Sequence, residues 1–147
     1  MIALGGSASA QAARDCTAGD AGTRAAETRA LIASMGVTMD RHQAELDAGI
    51  RDAVARTGWG EQERARFLRT LLRSDTNAGF DKRIAVLTAQ LRGLLQALQR
   101  GDIQGLAAEC QFVERVRERV GQLDSVHAQQ SAFLMQSLRK AAPARRP

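Results

Sequence analysis

Few residues of this chain can do chemistry beyond packing. They are two cysteines, two histidines, and methionines on the same helical spacing as one of the histidines. Cys16 and Cys110 are the only cysteines. Two cysteines in an exported domain most often pair. A Cys16–Cys110 bridge would close a loop of about 94 residues, which the chain-entropy account values at about 4–5 kcal/mol. The alternative is two free thiols, with Cys110 a small core residue. With no CxxC, a thioredoxin-like redox role has no support, and two cysteines with two distant histidines make no zinc-finger spacing.

His42 follows Met35 and Met39 at helical spacing, and His127 precedes Gln130 and Met135. Imidazole and thioether are copper or haem ligands, and helical bundles hold such sites between facing helices. The absence of CxxCH excludes c-type haem. Whether the histidines meet depends on where the first helix starts. If it begins at Arg24, level with Cys110, they are level. If it begins near Thr17, they lie about 10 Å apart in height and cannot share an ion. Hydrogen-bonded core histidines are the plainer reading, so no cofactor and no metal is assigned, with His42 and His127 kept as the candidates.

No nucleophile–base motif, paired carboxylates or phosphate loop is present; Gly58-Trp59-Gly60 is not followed by the Lys-Ser/Thr of a P-loop. The expectation is a non-enzyme. The net charge is +5, but Arg139, Lys140, Arg145 and Arg146 carry most of it in a basic tail. The row Arg64, Arg66, Arg69 and Arg73 lacks interleaved aromatics and has acids beside it, so no nucleic-acid partner is expected.

These residues need helices to hold them. Aromatics are 3% of the chain and both prolines, Pro143 and Pro147, lie at its end. Such a composition, rich in Ala, Leu, Arg, Glu and Gln, predicts an all-α protein. The stretch Ile103–Arg139 repeats apolar residues every three or four positions: Leu106, Cys110, Val113, Val116, Val120, Leu123, then Phe133, Leu134 and Leu138. As one helix it is about 55 Å long and needs cover. A first helix over about 24–56, with Thr23 or Asp20 as cap and Gly36 a kink or close approach, and a second over 61–100 or split near 74–79 would supply it. Gly101 is placed to end a helix and Asp102 to cap the next, making an antiparallel hairpin. The fold expected is an up-down bundle of three to four helices with a long C-terminal helix. No apolar run is long enough to span a membrane.

Residues 1–12 read as the tail of a secretory signal, because Ala8-Ser9-Ala10 and Ala10-Gln11-Ala12 fit the small-x-small pattern; a disordered extension is the alternative. Residues 13–140 form a single domain in this reading, and 141–147 a disordered basic tail. After Leu123 the long stripe weakens at His127 and Gln130, then resumes. Phe133, Leu134, Met135 and Leu138 are then either core under the first helix or an exposed patch that binds a protein partner. The function expected by elimination is a periplasmic or secreted helical protein that binds another protein, as an inhibitor, immunity-like or chaperone-like factor, with homo-oligomerisation through the long helix an option. A cytoplasmic adaptor or secretion chaperone with free thiols, and a small metal- or haem-binding bundle, are the alternatives.

Overall fold

The computed structural model describes residues 16–143. The signal-like stretch 1–12 lies outside them, as do 144–147 of the basic tail. The described residues form four helices and no strand: α1 Ala18–Thr57, α2 Glu61–Leu72, α3 Asp75–Gln99 and α4 Leu106–Lys140. The protein is an all-α bundle with a long last helix.

α1 starts six residues earlier than its apolar stripe suggests. Thr17 and Asp20 close a reciprocal cap: the Thr17 hydroxyl oxygen accepts the Asp20 N–H at 3.2 Å, and the Asp20 carboxylate accepts the Thr17 N–H at 3.1 Å. The Thr17 hydroxyl also donates to that carboxylate at 2.7 Å. This hydroxyl bond, then the backbone bond, holds the Asp20 carboxyl below its usual value, with Arg24 adding to the effect. The cap outweighs the helix-weakening Gly19 and Gly22, so TAGDAGT is helix rather than loop.

α2 and α3 are separate helices. Arg73 ends α2, and Ser74 starts α3 by accepting the Asn77 N–H on its Oγ at 3.3 Å. α3 ends in a Schellman turn: Gly101 N–H bonds Leu98 C=O at 3.1 Å and Asp102 N–H bonds Ala97 C=O at 3.0 Å, with Gly101 at φ +75°. Asp102 therefore closes α3 instead of capping α4. The connection runs through Gly105, and α4 begins at Leu106, three residues later than its sequence pattern suggests.

The packing divides into two compact units, and α1, α3 and α4 each contribute a segment to both. Unit 1 contains residues 16–34 and 87–122. Here Cys16 is disulfide-bonded to Cys110, with Cα atoms 6.4 Å apart, within the usual range for a disulfide. Cys110 is completely buried beside Ala21. Arg24–Glu114 and Glu27–Arg117, both at 3.4 Å, join α1 to α4 in parallel. Such half-exposed pairs are each worth about 0–1 kcal/mol.

Unit 2 contains residues 35–86 and 123–143. Its core joins Ala53, Trp59, Leu138 and Ala141, with Leu46, Ile50, Val54, Phe67, Leu68 and Met135 packed around them. Trp59 lies against Phe67, ring centres 4.6 Å apart. Arg56 donates from Nη1 to Ala141 C=O at 2.6 Å and from Nη2 to Leu138 C=O at 2.8 Å. A cation thus binds carbonyls at and just past the C-terminal end of α4, where the helix dipole favours positive charge; Leu138 C=O also accepts the Ala141 N–H at 3.2 Å. Ala141 is buried, so the chain is held past Lys140 instead of releasing a free tail there. Gly49 is the close approach: a Cβ there would sit 2.8 Å from the Met135 methyl. Gly36 is exposed and faces nothing within 4 Å.

Gly36→Ala should therefore raise stability by about 0.5–1 kcal/mol, read as a higher urea midpoint, because it adds helix propensity and meets no neighbour. Arg56→Ala should lower it by about 1–3 kcal/mol. Arg56→Lys should recover only part of that loss, since an ammonium lacks the fork that spans two carbonyls.

Candidate functional site

A cleft of about 430 Å³ opens in unit 2, within the size range of small-ligand sites. α1 supplies Met39, His42 and Leu46, α2 ends at it with Leu72, α3 lines it with Asn77 and Asp81, and α4 adds His127, Gln130, Ser131 and Leu134. Its floor is polar. Gln130 Nε2 donates to Asp81 Oδ1 at 2.7 Å and to Asn77 Oδ1 at 3.0 Å. Asn77 Nδ2 donates to Leu72 C=O at 3.0 Å and to Asp81 Oδ2 at 3.1 Å. Asn77 is only 2% exposed, and these bonds satisfy its amide. Sequence reasoning passed over Asn77 because it lies in SDTNAG, which has the composition of a turn, and over Asp81 because it follows that stretch as a lone carboxylate. The signal that could have found them is Ser74 followed three residues later by Asn77, the spacing of an N-cap.

His42 and His127, the metal-ligand candidates, line the same cleft although α1 begins at Ala18. Helix start therefore does not separate them. Burial holds His127 below the ordinary imidazole value; the Asp124 carboxylate opposes this, and the charge of His42 lowers it further. His127 and Ser131 are one helical turn apart, but no hydrogen bond joins them, so the pair lacks the contact of a nucleophile and its base. Among the described residues, no three His, Cys, Asp or Glu side chains converge as a metal cluster.

The four residues at the end of the long stripe are covered. Leu138 is 1% exposed in the core beside Ala53 and Trp59. Leu134 is also buried, Met135 packs over Gly49, and Phe133 is half-buried with its ring centre 6.0 Å from that of Phe80. Of the two readings of Phe133–Leu138, the packing is that of core. α1 and Trp59 reach this end of α4 and remove the exposed patch.

Apolar side chains are exposed in both units, among them Val37, Leu72 and Val86 in unit 2, and in unit 1 they border a hollow. A hollow of about 350 Å³ is bounded by Ala18, Ala21, Gly22 and Ala25 of α1, by Leu98, and by Leu106 and Phe112 of α4. Leu95 and Leu98 stand on the same helical stripe as Leu87, Leu91 and Leu94, yet they remain 49% and 48% exposed. The small side chains of α1 leave the end of that stripe uncovered. No helix among the described residues is long and apolar enough to cross a membrane. No family model matches the chain, and no curated protein or solved structure shows significant similarity to it.

Because the folded imidazole of His127 titrates below its ordinary 6.5, the unfolded chain takes up a proton in this interval that the folded chain refuses. Stability should fall as pH drops through 6.5 and level off below the folded value. Urea midpoints measured from pH 7.5 to 5 should show this fall. In His127→Gln the fall should be smaller.

Proposed function

We propose that this chain is an exported, non-enzymatic helical protein that acts in an oxidising compartment by binding another protein, as an inhibitor, immunity-like or chaperone-like factor. The Cys16–Cys110 disulfide carries the reading. It uses both cysteines of the chain, and such bonds persist where thiols are not kept reduced. The uncovered end of the α3 stripe, beside a hollow, is a surface on which a partner's apolar side chains gain from burial. Leu95 and Leu98 are half-exposed there, and Leu106 of α4 is 37% exposed at the same hollow. Phe133–Leu138 has no comparable claim, since its leucines are already in a core.

Thiol titration of denatured, unreduced protein from its native compartment should find no free thiol. Two free thiols would favour the cytoplasmic adaptor reading. Leu98→Asp and Leu106→Asp should leave helix content unchanged and abolish capture of the partner retained by the parent chain. Equal capture by both variants would remove this surface from the proposal, and sedimentation would distinguish a foreign partner from a second copy of the chain.

A further inference from the structure

The unit 2 cleft gathers two imidazoles and a thioether. Met39 and His42 are three residues apart on α1, which places them on one face about 5–6 Å apart at Cβ. His127 reaches the same cleft from α4. We propose that this cleft binds one Cu(I) ion through Met39 Sδ and one ring nitrogen each of His42 and His127.

The donor set selects the metal. A thioether is a soft ligand that suits Cu(I), imidazole is borderline, and hard cations such as Mg²⁺ and Ca²⁺ require oxygen donors. Asp81 is the carboxylate in the cleft, and its two oxygens already accept hydrogens from Asn77 and Gln130. The three proposed donors are themselves neutral, and the thioether among them favours the soft Cu(I) ion over harder divalent ions. Leu46, Leu72 and Leu134 add apolar wall, which raises the cost of a second unit of charge. Zinc has no cluster of three His, Cys, Asp or Glu ligands among the described residues. Cys16 and Cys110 offer no competing thiolate, since they are bonded to each other. Met39 is 42% exposed, so the ion has a route in from solvent.

The test is competition for Cu(I) against bathocuproine disulfonate, with ascorbate as reductant so that no thiol attacks the disulfide. The parent chain should withdraw one Cu(I) per chain. Met39→Leu, His42→Ala and His127→Ala should each weaken binding by at least roughly tenfold, with helix content and metal-free thermal midpoint close to the parent's. Zn(II) should bind more weakly and be insensitive to Met39→Leu. Retention of all copper by the chelator would overturn the proposal. So would parent-like binding in the variants, which would place the ion elsewhere. Loss on changing either histidine with no effect of Met39→Leu would leave a two-imidazole site and overturn the three-ligand assignment, since the thioether would then bind nothing. Met39→Leu preserves apolar volume, so it reads ligation even if an alanine variant is destabilised.

Discussion

One face of α4 must stay dry from end to end, and most of the described fold answers to that constraint. Cys110, Val113, Val116, Val120, Leu123, Val126, Leu134 and Leu138 fall on it, all buried. In unit 1, the first turns of α1 and the C-terminal part of α3 supply the cover. In unit 2 it comes from the rest of α1 with Trp59, α2 and the start of α3. Four valines in this row keep the helix surface narrow and stiff, which suits close packing by a chain poor in aromatics. The row has one polar step, Gln130. Its single amide nitrogen serves two acceptors on α3, so sliding either helix by a turn would take the donor away from Asn77 Oδ1, on a residue only 2% exposed. A polar residue at a core position thereby fixes alignment that leucines alone would leave loose.

Much of this was legible in the residues. The spacing of apolar side chains gave α4, the body of α1 and the α3 stripe, because burial on one face repeats with the helix period. Gly101 was readable as a stop because the turn needs positive φ, and its Schellman bonds bear this out. The pairing of Cys16 with Cys110 was legible because there was no other cysteine to choose.

What stayed hidden has two physical causes. Local caps competed with propensity: Thr17–Asp20 and Ser74–Asn77 turned stretches of glycine and polar residues into helix. Long-range partners left no periodic trace: Arg56 reaches carbonyls 82 and 85 residues away, and Gln130 reaches Asn77 across 53. The cleft belongs to the second class. Its histidines could be named from the sequence, but their placement in one cleft depends on side-chain packing in unit 2 that counting residues from the disulfide does not capture. The stripe at Phe133–Leu138 was ambiguous for the same reason, since burial there depends on Trp59 folding back from a loop.

The disulfide also changes how the chain is connected. Between Cys16 and Cys110 lie three interhelical or loop stretches, at 58–60, 73–74 and 100–105, that are the natural places for a protease to cut. A single cut in any of them opens the backbone without releasing a fragment, since the two halves remain joined through sulfur. Fragments held together in this way need not find one another by diffusion, and each helix keeps its packed neighbours at high effective concentration. One peptide-bond cleavage would then be a change in covalent topology with little change in composition or contacts.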